Sequence, residues 1–195
     1  GVLCVLASRF NHSCAPNAEY LWNDASQFEE VRATRSIAVG EEICVNYIGD
    51  GIRRPSAERR ALLRGEFQFD CRCKVCQEAD PESDRRRARL TSLDAEILTC
   101  RSRPQDGLKI AEEMLTLLHD EGISAPRTVA QVCNDGFELA LLAGDTSEVQ
   151  VWAHMSYEAH RLGWGEDYPL TRRMRAYSQE PPTLAKTATP SADAH

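Results

Sequence analysis

Apolar residues before residue 49 come in short runs broken by polar and turn-forming positions, a pattern that predicts strands. Val2-Leu3-Cys4-Val5-Leu6 is the first such run. Glu19-Tyr20-Leu21-Trp22 and Phe28 to Ala33 flank the turn cluster Asn23-Asp24-Ala25-Ser26, which predicts a hairpin. Gly40-Glu41-Glu42 then turns the chain into Ile43-Cys44-Val45-Asn46-Tyr47, a further short strand. Ser56-Ala57-Glu58-Arg59-Arg60-Ala61-Leu62-Leu63 reads as a short helix, with Pro55 before it and Gly65 after it. Asp80-Pro81-Glu82-Ser83-Asp84 reads as a polar linker.

From Asp84 onward the period becomes helical. Leu90, Leu93, Ile97 and Leu98 make one apolar stripe; Leu108, Ala111, Leu115 and Leu118 make a second, stopped by Gly122. Val129, Val132, Cys133, Gly136 and Ala140 make a third, opened by Ser124 and Pro126. Val149, Trp152, Ala153, Ser156 and Tyr157 make a fourth, entered through Gly144-Asp145-Thr146-Ser147-Glu148, where Asp145 is the expected N-cap with Glu148 three residues on. The last two helices and their tight turn resemble one tetratricopeptide-like hairpin. A repeat array needs about three units to be stable, so ordinary helical packing is the better reading. Gln179 to His195 is rich in Pro, Thr, Ala and Ser without an apolar face and predicts a disordered tail.

Composition narrows the function classes. With 195 residues and 42% hydrophobic content, one or two small domains can form a core. A net charge of −7 argues against a nonspecific grip on nucleic acid, which needs clustered positive charge, and favours basic partners. Arg85-Arg86-Arg87-Ala88-Arg89 opens a predicted helix and reads as a solvated helical face in preference to an import signal. No apolar run approaches the length of a membrane helix, and the apolar start from Val2 to Ala7 lacks a basic leader. The expectation is a soluble intracellular chain, in nucleus, cytoplasm or both, with no membrane and no direct nucleic-acid contact.

Eight cysteines in such a chain read as metal ligands and buried thiols rather than disulfides. Cys71, Cys73 and Cys76 are spaced C-x-C-x-x-C, one short of the closed tetrahedron of structural zinc, and Cys14 is the natural fourth. Cys4, Cys44, Cys100 and Cys133 lie in apolar elements and read as small buried hydrophobes. His119, His154 and His160 show no ligand spacing.

Three ordered motifs carry a resemblance. They are Asn11-His12-Ser13-Cys14-Ala15-Pro16-Asn17, then Arg35-Ser36-Ile37-Ala38-Val39-Gly40-Glu41-Glu42-Ile43-Cys44-Val45-Asn46-Tyr47, then Phe69-Asp70-Cys71-Arg72-Cys73-Lys74-Val75-Cys76. Together they resemble the C-terminal half of a SET domain with its post-SET zinc segment, of the SET-and-MYND (SMYD)-like and fungal SET-domain type. The resemblance implies an α+β chain: half of a SET domain over 1–48, a linker helix and zinc segment over 49–78, a helical region over 84–178 and a tail over 179–195. It implies an S-adenosylmethionine-dependent protein-lysine methyltransferase with structural zinc. Half of the catalytic domain, including a Gly-x-Gly cofactor loop, would precede Gly1, so the chain is expected to be a fragment or a truncated remnant.

The resemblance also assigns residues. Tyr47, ending the Gly-Glu-Glu strand, would be the catalytic and cofactor-facing tyrosine. Methyl transfer needs the methyl held in line with a neutral amine and water excluded, and a tyrosine hydroxyl can orient both reactants. Asn11 would face the amino-acid end of the cofactor, and the His12 backbone its adenine edge. Phe69 would lie against the adenine, with Phe67 a second candidate; such stacking contributes about 1–3 kcal/mol by analogy with base–aromatic contacts. The substrate would be a lysine-containing protein, histone or non-histone, entering a channel that ends at Tyr47 beside the helical region. The alternative is a non-catalytic, zinc-stabilised interaction module.

Overall fold

The computed structural model describes residues 4–23, 27–78 and 80–183. Its strand part is small. β2 (Ala18–Asn23) and β3 (Phe28–Ala33) form the antiparallel hairpin, paired from Ala18 opposite Ala33 to Asn23 opposite Phe28. The turn residues 24–26 lie outside the described residues. β1 (Asn11–His12) and β4 (Cys44–Val45) pair in parallel, Asn11 opposite Cys44 and His12 opposite Val45.

Both strands of this parallel pair are shorter than the apolar runs suggest, because a side chain takes over the ladder. Buried Asn17 accepts from the Cys44 N–H at 2.8 Å and donates to the Glu42 carbonyl and the Glu41 carboxylate, each at 2.9 Å. One amide thus satisfies backbone groups that strand pairing would otherwise have to satisfy. The opening run does not form a strand in its described part: Cys4 to Leu6 lead into a 3-10 turn at Ala7–Arg9, and residues 1–3 lie outside the described residues.

Helices follow. α1 spans Ser56–Phe67 and passes through Gly65, ending where Gln68 turns left-handed at φ 58°. α2 is the four-residue turn Lys74–Gln77. α3 (Pro81–Ile97) absorbs the stretch expected as a linker: Asp80 caps it by accepting from the Glu82 N–H at 2.9 Å, with Pro81 in the first turn. α4 (Pro104–Asp120), α5 (Pro126–Ala143), α6 (Thr146–Trp164) and α7 (Pro169–Gln179) complete the chain. Residues 184–195, most of the expected tail, lie outside the described residues.

The helical core is built from the stripes. Leu90, Leu93 and Ile97 of α3, Ala111, Met114 and Leu118 of α4, and Val132 and Ala140 of α5 meet Val149, Trp152 and Ala153 of α6. Leu98, expected in the first stripe, is 74% exposed because α3 ends one residue before it. Asp145 caps α6 through the N–H groups of Ser147 and Glu148, while the Glu148 carboxylate accepts from the Trp152 indole at 3.0 Å instead of returning to the cap. Among the described residues no helix is long and apolar enough to cross a membrane.

The arginine run at the start of α3 is a solvated face only in part: Arg85 and Arg89 are exposed, whereas Arg87 turns inward. Arg87 is fully buried, its Nε 2.6 Å from the Glu121 carboxylate beyond α4, while Arg86 holds the other carboxylate oxygen at 2.6 Å. Arg87 also donates to the carbonyls of Ile52 and Cys14, so one guanidinium joins the helical region to the strand part. A buried arginine of this kind persists because its partners satisfy it.

α5 and α6 make the most extensive helix contact in the molecule, and Gly136 is where they touch. A methyl group at Gly136 runs into the indole ring of Trp152, itself 2% exposed. Gly136→Ala is therefore expected to destabilise the fold by about 1–3 kcal/mol despite alanine's better helix propensity. Chemical denaturation checks this, and an unchanged midpoint would contradict the packing described.

Candidate functional site

The loop after β1 and the α1–α2 corner bring four thiols together. The Sγ atoms of Cys14, Cys71, Cys73 and Cys76 all lie within 4.8 Å of one another. Cys14 Sγ is 3.6 Å from Cys76 Sγ, and a zinc tetrahedron with Zn–S bonds of about 2.3 Å has an edge of about 3.8 Å. The sulfurs therefore fit a structural zinc ion. The donors agree: Cys14 N–H points at Cys73 Sγ (3.4 Å) and Cys73 N–H at Cys71 Sγ (3.5 Å), as thiolate acceptors require. Crowding sets the thiols in competition for protons. Hydrogen bonds with Cys71, Cys73 and Cys76 push the Cys14 thiol up, while those from Cys14, Cys71 and Cys76 push Cys73 down. A dication at the centre removes that competition.

His12 links this cluster to Tyr47. Its Nδ1 accepts the Tyr47 N–H at 3.1 Å, and its Nε2 lies 3.4 Å from Cys14 Sγ. The single proton of the neutral ring therefore sits on Nε2, facing the sulfur. Burial pushes His12 down to about 4, which keeps it neutral near pH 7. The link follows from alternation along an extended segment, since positions two apart share a face. Sequence reasoning places His12 at the site through its backbone and does not reveal this use of the ring.

Tyr47 is half-buried, two residues past the end of β4. Its hydroxyl donates to the Phe10 carbonyl at 2.5 Å. Burial, then Tyr20 and Cys44, push its pKa up, so it stays protonated. Its ring centroid lies 5.2 Å from that of Phe67, 6.3 Å from Phe69 and 5.5 Å from the His12 imidazole. Phe69 packs on the cysteine cluster, whereas Phe67 is 41% exposed. Asn11 stands apart from this aromatic group: it is exposed on β1, with its amide on the Glu42 carboxylate at 2.6 Å. The expected site residues thus converge around Tyr47, with Asn11 on the adjoining strand.

On its other side Tyr47 lines a cleft of about 320 Å³ shared with the start of α5. Tyr20, Glu19, Asp50 and Thr128 contribute to its walls, and Arg127 pairs with Glu19. Burial raises the Glu19 carboxyl, and the backbone and charge of Arg127 oppose this. Of the remaining cysteines, Cys100 and Cys133 are buried as expected, while Cys4 and Cys44 are only partly covered.

The SET domain family profile matches residues 4–48, the segment that carries the four strands found among the described residues and ends just past Tyr47. A histone-lysine N-methyltransferase, set5, of Schizosaccharomyces pombe is 28% identical over 186 residues, covering 93% of this chain and 57% of its own. The human histone-lysine N-methyltransferase SMYD3 is 39% identical over 77 residues, 40% of this chain and 17% of its own. The bovine N-lysine methyltransferase SMYD2 is 27% identical over 149 residues, 76% of this chain and 33% of its own.

The chain is similar to SET/SMYD-type proteins, and its SET-domain match lies in residues 4–48. It spans between about a sixth and somewhat over half the length of these relatives. The cysteine corner lies beyond the segment matched to the SET domain, yet it includes Cys14 from inside it.

Cys73 is the central test of the metal reading, since it accepts from Cys14 N–H and donates its own N–H to Cys71. Cys73→Ser is expected to lose the zinc that the unmodified chain retains through purification, measured by elemental analysis per chain. Equal zinc in both proteins would sink the assignment.

Proposed function

We propose that this chain belongs to an S-adenosylmethionine-dependent protein-lysine methyltransferase of the SET class and supplies its catalytic tyrosine, its zinc segment and its substrate-side helices. The relatives whose names state lysine methyltransferase activity support the class. The observation that carries the reading is the immobilisation of Tyr47 between an aromatic group and an acid-bearing cleft.

S-adenosylmethionine, when bound, supplies an electrophilic methyl group on a sulfonium centre. The chain's own residues hold and align the acceptor. The Tyr47 hydroxyl spends its proton on the Phe10 carbonyl, which leaves its oxygen lone pairs free to accept from an incoming amine. Its backbone is held by His12, so the ring cannot drift without disturbing the cysteine corner. Both ring nitrogens of His12 are engaged, so it does not serve as the base; deprotonation of the lysine falls to solvent. Tyr20 and Tyr47 offer apolar walls for a lysine stem, and Glu19 and Asp50 bring negative charge to the same cleft. Phe69, and Phe67 beside it, would face the adenine, Asn11 the amino-acid end of the cofactor, and the His12 backbone its adenine edge. The substrate is a lysine-bearing segment of a histone or another protein. We assign the helical region a covering role on the substrate side, with no separate peptide-binding repeat.

Tyr47→Phe in the full-length protein tests this. Transfer of labelled methyl to a lysine peptide is expected to fall by about 100-fold, with zinc content and circular dichroism unchanged. A rate equal to that of the unmodified protein removes Tyr47 from the mechanism.

A further inference from the structure

A zinc ion held by four cysteinates carries a net charge of −2, four negative sulfurs against one dication. Here most of that charge is enclosed: Cys14 is 0%, Cys76 3% and Cys71 6% exposed, while Cys73 is partly covered. Enclosed charge is costly unless it is paired and hydrogen-bonded. Three sulfurs have donors already described, His12 Nε2 for Cys14, Cys14 N–H for Cys73 and Cys73 N–H for Cys71. Among the described residues no N–H hydrogen bond reaches Cys76 Sγ.

Arg59 is placed to fill that role. It lies on the buried face of α1 one turn before Leu63, and Leu63 packs directly on Cys14, Cys71 and Cys76. Arg59 is 1% exposed; one Nη donates to the Arg54 carbonyl at 2.6 Å, and its buried Nε has no hydrogen-bond partner. The other two buried arginines have carboxylates: Arg53 holds Asp94 at 2.8 Å and Arg87 holds Glu121 at 2.6 Å. No carboxylate forms an ion pair with Arg59 among the described residues. Asp84, the nearby acid, is committed to the N–H and hydroxyl of Ser56, each at 2.7 Å. Burial works against the charge of Arg59, and the sulfurs of Cys14 and Cys76 are what favour it.

We propose that Arg59 is the charge-balancing partner of the four-cysteine zinc centre, acting on Cys76 and Cys14 to hold their thiolates on the metal. The proposal rests on the zinc reading of the cysteine cluster. It gives a residue of α1, outside the C-x-C-x-x-C motif, a part in metal retention. It also accounts for a buried cation that would otherwise be unpaired. A cleft of about 310 Å³ between Arg59, Arg60 and Val75 reaches Cys76, so the metal can be challenged from that side.

The test uses this chain purified with zinc, followed by transfer of zinc to a chromogenic chelator. Arg59→Gln keeps a donor for the Arg54 carbonyl and removes the charge; Arg59→Lys keeps the charge. Arg59→Gln is expected to release zinc about 10–100-fold faster, and Arg59→Lys to stay within about threefold of the unmodified chain. Iodoacetamide labelling mapped by mass spectrometry should rise most at Cys76 in Arg59→Gln. Folded Arg59→Gln that releases zinc at the unmodified rate overturns the proposal. Should Arg59→Gln not fold, Arg59→Lys decides alone: folded protein that loses zinc as fast as Cys76→Ser overturns it. An unmodified chain that holds no zinc overturns the metal reading together with the proposal, whereas retained zinc with no effect at Arg59 overturns the proposal only.

Discussion

Cys14 is the residue on which the rest of the arrangement depends. Its sulfur joins three cysteines from the α1–α2 corner, its N–H reaches Cys73, and its carbonyl receives the buried Arg87 of α3. Three separate stretches of chain therefore meet at one residue that is itself fully enclosed. Tyr47 is held at one remove, through the His12 ring that spans from Cys14 Sγ to the Tyr47 N–H. A metal in the corner would thus act on the tyrosine by restricting its backbone, without touching it. Such indirect support is how an outer shell of contacts sets the geometry of a reacting group.

The same logic explains why so many polar groups are buried in a chain of modest core. Asn17 substitutes for strand pairing between β1 and β4, and Glu121 accepts from Arg86, Arg87 and Ser83 at the end of α4. Each group is costly alone and acceptable in company, because nearly every donor meets an acceptor. The apolar core of α3 to α6 supplies bulk cohesion, while these few polar contacts decide how the strand part sits on it.

Periodicity in the sequence carries the helical region well: the stripes of α3 to α6 reappear as buried faces, and Asp145 caps α6 as its position predicts. The boundaries are less legible. Asp80 to Asp84 reads as a linker because its residues are polar, yet Asp-Pro-Glu is also a helix start, and the cap decides in favour of helix. Leu170, Met174 and Tyr177 form a helical stripe in α7 that interleaved arginines conceal. Spacing identifies the metal corner, since three cysteines so close together in a polar segment do not suit an apolar core and do suit a metal. It does not reveal Arg59 or the His12 ring, whose partners lie far off in sequence or depend on which face a two-residue strand presents.

Asp84 holds the first turn of α1 from within α3, and Arg87, one turn later, holds Cys14. Both clasps come from downstream of the segments they secure. During synthesis the strand part and the cysteine corner leave the ribosome before the residues that will anchor them. Until α3 has emerged, the corner that could hold a metal lacks two of the clasps that secure it in the finished fold.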